Sequence, residues 1–238
     1  EEMKKTVLLI IPLLILFVAC EDKDDDPLPL DCTGVEGGNS ISDIDGNCYE
    51  TVQIGQQLWM AENLKVTHYN NGDATSTGYS NSEWADLDET ETGAYAAYND
   101  NESNADIYGY LYNWYVVEDV RGICPEGWHV PTDEEYTLLT DYLDGTSVAG
   151  GKMKEAGIEH WNSPNEGATN ESGFTGLPGG CRYSDGRYTN INNIGYFWSS
   201  TESSDNNARY RGLLYNLPFV LKDGINNGYG LSIRCLKD

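Results

Sequence analysis

Residues 7–19 are an unbroken apolar run that ends on Cys20, and this feature limits what the rest of the 238-residue chain can be. A membrane-spanning helix needs about 20 consecutive apolar residues. This run is shorter, and Pro12 lies inside it. Behind Lys4 and Lys5, and before a small-residue cut after Ala19, it reads as a signal peptide over residues 1–19. Glu1 and Glu2 are an upstream extension of it. Everything downstream is therefore expected to fold in an oxidising compartment, where cysteines pair.

The string Leu16-Phe-Val-Ala-Cys20 resembles a bacterial lipobox, with Phe17 where such motifs usually carry Leu. The resemblance implies that Cys20 becomes the lipidated first residue of a lipoprotein; the alternative is an ordinary signal peptide that contains a cysteine. Glu21-Asp-Lys-Asp-Asp-Asp26, followed by Pro27 and Pro29, cannot bury enough apolar surface to fold. Residues 20–40 thus read as a disordered acidic tether, and residues 41–238 as the domain it carries. An acidic run directly after the lipidated cysteine also resembles the export signal of surface lipoproteins in Bacteroidetes-type bacteria. The expected location is the outer membrane, lipid-anchored and facing outward; a periplasm-facing tether is the alternative.

Charge narrows the partners. With 14 Lys+Arg against 39 Asp+Glu, the formal net charge is −25. A surface this acidic repels phosphate, so nucleic acid is not expected as a partner. Hydrophobic residues make up 39% and aromatics 11%, which is enough for a globular core and excludes a wholly disordered chain or a collagen-like fibre.

Apart from Cys20, the cysteines are Cys32, Cys48, Cys124, Cys181 and Cys235. An odd number leaves one thiol over, and spacing does not select among the pairings. The working assignment joins Cys124 to Cys235, from the start of a helix to the last strand. It also joins Cys32 to Cys48, closing a short loop at the start of the domain, and leaves Cys181 as a buried spare. Without a CxxC pair or a His-rich segment, a zinc site is not expected.

Local patterns give an α+β domain with short antiparallel sheets, one or two helices and long irregular loops. Residues 48–54 alternate as a strand and turn at Gly55 into residues 57–60, a β-hairpin. Residues 70–106 are polar and irregular, with a short helix expected near 82–87. The aromatic block 108–117 is either a buried strand or a helix; its periodicity does not separate the two. Thr132 and Glu135 form a capping box, and Tyr136, Leu139 and Leu143 follow at helical spacing, so a helix is expected over 133–143. A weaker one is expected within 148–156. The last third reads as strands at 173–183, 196–201, 208–216, 217–222 and 228–236. In the last of these, Leu231, Ile233 and Cys235 alternate with Ser232 and Arg234.

Several strings stand in the order seen in one family. They include Asp43-Ile-Asp-Gly-Asn47, Trp59-Met-Ala-Glu-Asn-Leu-Lys65, Tyr110-Leu-Tyr-Asn-Trp114 and Cys124-Pro-Glu-Gly-Trp-His-Val-Pro-Thr-Asp-Glu-Glu135. Gly176-Leu-Pro-Gly-Gly180, Gly195-Tyr-Phe-Trp-Ser-Ser-Thr-Glu202 and Gly230-Leu-Ser-Ile-Arg-Cys-Leu-Lys-Asp238 complete the set. Together they resemble the Fibrobacter succinogenes major paralogous domain over about residues 43–238. The resemblance implies a C-type-lectin-like fold, with N- and C-terminal strands paired and a long loop region. A disulfide from the first helix region to the last strand is common in that fold and fits Cys124 with Cys235. The resemblance brings no catalytic mechanism; it implies an exported surface module for adhesion or glycan binding.

Calcium is the one cofactor that resemblance raises, because a hard cation collects six to eight oxygens and can share them with sugar hydroxyls. The nearest matching strings are Ser163-Pro-Asn-Glu166 and Trp198-Ser-Ser-Thr-Glu202, in which serines replace the expected carboxylate and amide. Asn165, Glu166, Trp198 and Glu202 are the candidate ligand residues that follow, against the reading that Pro164 shapes a loop and Trp198 packs in the core. Trp161, set in a polar loop, is the candidate exposed platform for a sugar ring. The scattered histidines His68, His129 and His160 match no metal or hydrolase motif. The leading expectation is a non-catalytic binding or adhesion module for a glycan or surface protein. The alternatives are an accessory subunit of an outer-membrane assembly and, more remotely, an enzyme of the formylglycine-generating type.

Overall fold

The computed structural model describes residues 30–238. The expected signal peptide, Cys20 and the acidic run lie outside the described residues. The chain begins with paired strands β1 (Ile41–Ser42) and β2 (Cys48–Tyr49), then the hairpin β3 (Thr51–Ile54) and β4 (Gln57–Met60). Its middle holds α1 (Asn81–Thr90), β5 (Tyr95–Ala96), a 3-10 turn (Tyr98–Asp100), α2 (Glu102–Tyr108), β6 (Leu111–Tyr112), α3 (Trp114–Val117) and β7 (Trp128–His129). Helices α4 (Asp133–Tyr142) and α5 (Thr146–Met153) follow. The chain finishes with β8 (Gly179–Arg182), β9 (Tyr188–Ile191), β10 (Ile194–Ser204), β11 (Asn207–Leu214), β12 (Val220–Asn226) and β13 (Leu236–Lys237).

The domain is α+β, as the patterns require. One sheet has the order β12-β11-β10-β8-β9, with only the β10–β8 contact parallel. A second, β3-β4-β13-β7, joins the N-terminal hairpin to the end of the chain. The five-stranded sheet separates two cores. On one side Phe197, Leu213 and Val220 meet Tyr136, Leu139 and Leu143 of α4, so the predicted stripe of that helix is its buried face. On the other, Trp198 and Tyr210 meet Tyr112, Trp114, Leu231 and Ile233. The tryptophan rings cross between layers: Trp198 Nε1 donates to Tyr112 O at 2.7 Å and Trp114 Nε1 to Ser199 O at 2.9 Å.

Expectation and structure differ in four places. Among the described residues there are five α-helices against the one or two expected, and two of the short ones rest on caps rather than on long apolar stripes. Ser80 and Glu83 form a capping box on α1, and the Asn101 side chain caps α2. The 108–117 block is both strand and helix: α2 ends at Tyr108, β6 follows, and α3 begins at Trp114. Gly109 makes that break, with φ 70° and no room for a side chain, since a Cβ would lie 2.6 Å from Leu64 O. Residues 30–40, read as part of the tether, are tied down by the Cys32–Cys48 disulfide and a bridge between Leu30 and Glu36. The Asp31 carboxylate accepts from the backbone of Thr33, Val35 and Ser40, which hold it well below the usual carboxylate range together with the Thr33 hydroxyl.

The fourth difference is the largest. Residues 228–236 are not one strand. They thread through the interior by single bridges, Gly230 to Arg182, Leu231 to Tyr112 and Ser232 to Phe197, so both alternating faces are buried. Arg234, which alternation placed opposite the core residues, is 0% exposed. Asn63 Oδ1 accepts from both Nε (3.1 Å) and Nη2 (2.7 Å), and the carbonyls of Met60, Phe174 and Thr175 take the remaining donors. The guanidinium also lies 4.3 Å from the Phe174 ring centroid. Cys124 and Cys235 form a disulfide beside it, across 111 residues of sequence.

Arg234 is the one charge in this network, so removing it strands no ion but takes a donor from Asn63 Oδ1 and three carbonyls, at about 1–3 kcal/mol for each acceptor left unsatisfied. Arg234→Ala is expected to lower unfolding stability by at least about 3 kcal/mol in urea titrations, with Arg234→Lys intermediate. A variant within about 1 kcal/mol of the parent would show that the network is dispensable.

Candidate functional site

The disulfide that ties the end of the chain to the middle also fixes a loop that walls a groove. Cys124 sits between Arg121 and Glu126 in the loop after α3, and this loop faces the β1–β2 turn and the 68–74 loop. Between them opens a groove of about 720 Å³, lined by Asp43, Ile44, Asn70, Asn71, Val120 and Arg121 among others. That is within the usual size range of ligand sites.

Local chemistry fixes each wall. Asp43 Oδ1 accepts from the backbone of Asp45 and Asn47, and Oδ2 from Asn47 Nδ2 and the Tyr49 hydroxyl (2.6 Å). Its carboxylate builds the turn of the Asp-Ile-Asp-Gly-Asn string and has little capacity left for a ligand. Asn70 Nδ2 donates to Cys124 O at 2.8 Å, pinning the two loops together. Arg121 lies 3.9 Å over the Tyr69 ring and donates to Asp119 and Asp73. Those hydrogen bonds draw the Asp119 carboxyl below its ordinary range; for Asp73, Asn71 contributes first and Arg121 next. On the lip, Val120 is fully exposed and Ile44 nearly half so. A preset polar floor with bare aliphatic side chains above it suits recognition by shape.

The residues singled out from sequence are not gathered into one site. Trp161 is a correction: it is 2% exposed, its Nε1 donates to Gly176 O, and it anchors the long loop in the second core. A large apolar ring in a polar loop found the interior, because the hydrophobic gain outweighs the composition around it. Trp198 is a second correction, fully buried, its one donor bound to Tyr112 O. Asn165 turns inward, Nδ2 donating to the carbonyls of Glu155 and Gly157. Glu166 is exposed, and its carbonyl accepts from Lys154 Nζ at 2.8 Å. That buried ammonium also donates to Leu214 O and Leu217 O and so holds the loop to the sheet. Glu202 lies exposed on β10; after burial itself, its charge is what pushes the Glu118 carboxyl up. With Asn165 turned in and Glu202 on another element, these side chains do not form an oxygen cage for calcium. Among the described residues no group of three or more His, Cys, Asp or Glu is placed to hold a metal ion.

The disulfides are Cys32–Cys48 and Cys124–Cys235, the assigned pairs, and Cys181 is free and buried. Burial pushes its thiol up to about 12, which keeps it protonated and poorly nucleophilic. Each histidine is bound to carboxylate: His68 to Asp45, His160 to Glu155, and His129 to both Asp238 and Glu135. The groove residues Asn70, Asn71, Val120 and Arg121 were missed from sequence. A signal was there in Val120, an aliphatic residue held between Asp119 and Arg121 just before Gly122.

A family model described as the Fibrobacter succinogenes major domain matches residues 52–237. No curated protein and no solved structure matches the chain.

His129 also provides a pH test. Burial opposes its charged form, but the hydrogen bonds its ring donates to Asp238 and Glu135 outweigh this, and the net shift is upward from 6.5. The contribution is therefore complete below the unfolded value and lost as pH rises through the higher folded value. Thermal midpoints are expected to fall across that interval, and His129→Gln to flatten the fall. An unchanged slope in the variant would place the pH dependence elsewhere.

Proposed function

Since the chain belongs to the Fibrobacter succinogenes major domain family, we propose that it is a non-catalytic recognition module. In this reading Cys20 carries lipid, the acidic segment spaces the domain from the outer membrane, and the groove between Asp43 and Val120 faces outward to take a glycan or a surface protein. A C-type-lectin-like architecture is part of the same reading: hairpin strand β4 pairs with terminal strand β13, and a long loop anchored by Trp161 and Lys154 packs on the sheet.

The observation that carries this proposal is the open groove of about 720 Å³ built on a disulfide-clipped frame, with Val120 and Ile44 exposed at its lip. The state of the nucleophile candidates favours binding over chemistry. Cys181 is buried and protonated, and Cys235 is consumed by its bond to Cys124, which speaks against a copper-binding thiol of the formylglycine-generating type. Calcium keeps no assigned place in the proposal.

A full-length chain carrying Cys20→Ser, presented to a glycan array and to cell-envelope proteins, is expected to retain at least one partner. Val120→Asp is expected to weaken binding about tenfold, or about 1.4 kcal/mol. Silence against every polysaccharide and surface protein would defeat the binding reading, and copurification at fixed stoichiometry would favour an accessory subunit. Mass spectrometry of the unmutated protein is expected to find Cys20 as an acylated N-terminus; an unmodified or different N-terminus would remove the anchor.

A further inference from the structure

Sugar-binding surfaces need an exposed aromatic face. The CH face of a pyranose packs on the ring, and its hydroxyls take hydrogen bonds around the edge. The described part of the chain is rich in aromatics but buries most of them wholly or in part. Among the described residues Tyr142 is the one aromatic side chain classed as exposed, with 64% of its surface facing solvent. It stands at the end of α4, four residues after Leu138, which is also exposed, so the two share the outer face of the helix.

The ring does not wave freely. It rests on the β3–β4 turn at Gly55, where an added Cβ would lie 3.0 Å from Cδ2 and 3.1 Å from Cγ. Gly55 has φ 62°, so the turn that glycine permits also leaves the space the ring occupies. Backed in this way, Tyr142 is partly pre-ordered before any ligand arrives, which lowers the entropy lost on binding.

Its surroundings are mixed and slightly acidic. A groove of about 480 Å³ is lined by Tyr142 with Gln53, Lys152, Glu171 and Ser172, over Ile54 and Leu143. Lys152 is paired with Asp144 and Glu171, so its charge is answered locally. Gln53 Nε2 donates to Gly55 O at 3.0 Å, which orients that amide. A second groove of about 580 Å³ shares Gln53 and adds Gln56, Gln57 and Leu138, with Glu135, Lys237 and Asp238 on its far side. Amides and a hydroxyl both donate and accept, as sugar hydroxyls do, and the −25 net charge disfavours an acidic polymer.

We propose that Tyr142 is a stacking platform for a ring of a neutral hexopyranose polymer, with Gln53 and Ser172 at its edge, and that the neighbouring groove, which shares Gln53, takes the adjoining sugar. The proposal deepens the binding-module reading but uses a surface separate from the Asp43–Val120 groove.

The test is calorimetric titration of the full-length Cys20→Ser chain with neutral glucose, mannose and galactose hexasaccharides and an acidic hexasaccharide. At least one neutral oligosaccharide is expected to bind in preference to the acidic one. Tyr142→Ala is expected to weaken binding at least about tenfold and Tyr142→Phe to stay within about twofold. The Tyr142 side chain is exposed, so melting curves of both variants should match the parent. No neutral binding, preference for the acidic sugar, or Tyr142→Ala binding at parental strength would overturn the platform. If Val120→Asp abolishes sugar binding and Tyr142→Ala does not, or if only a surface protein is captured, the platform fails while the binding module stands.

Discussion

A guanidinium sealed from water must be surrounded by dipoles, and in this protein that requirement organises the interior. Arg234 reaches Asn63 and Met60 just after the N-terminal hairpin, and Phe174 and Thr175 in the long loop. Three segments far apart in sequence are thus held to one planar ion, which is useful only if all arrive together. The same solution recurs nearby. Arg182 donates to Gly186 O and Tyr79 O over the Trp84 ring, Lys154 to three carbonyls, and Arg211 to the carbonyl and carboxylate of Asp133. Among the described residues four cationic side chains are buried in this way, and the exposed surface is left correspondingly dominated by carboxylates.

Around those ions the disulfides and aromatic rings set the frame. Cys124–Cys235 clips the 117–127 region to the end of the chain just beside Arg234, and in a chain-entropy account a closure this long contributes about 4–5 kcal/mol. Both candidate binding surfaces sit on loops and turns attached to this frame. The larger lies between loops joined at Asn70 and Cys124, the other where the Gly55 turn meets the end of α4. Recognition by preset loops on a rigid body is the arrangement the fold favours.

The site was far less legible than the fold. Trp161 looked exposed because its neighbours are polar, but a ring that size goes where apolar area can be covered, and only the packed layers say where that is. Helix α4 shows the converse. Its capping box and its 136, 139, 143 stripe were readable and correct, whereas Leu138 and Tyr142 at the complementary spacing passed unnoticed, since nothing local says that no other element will cover them. Val120 differs, since its place between Asp119 and Arg121 is a local signal of exposure.

Taken as a string, the residues settle the α+β class, the hairpin at Gly55, the capped helix at 133 and, by ordered motifs over most of the chain, the family. Each of these rests on spacing within a few residues or on words in a fixed order. Which faces end up inside does not. Residues 228–236 alternate like a half-exposed strand, yet both sides are buried, because the two cores close on them from opposite directions. The burial of Arg234 and of the Trp161 ring depends on elements brought together from elsewhere in the chain, and the solvent-facing ring of Tyr142 on cover withheld altogether. Such long-range packing is invisible to periodicity, and it is what leaves one aromatic ring and one aliphatic lip open to solvent.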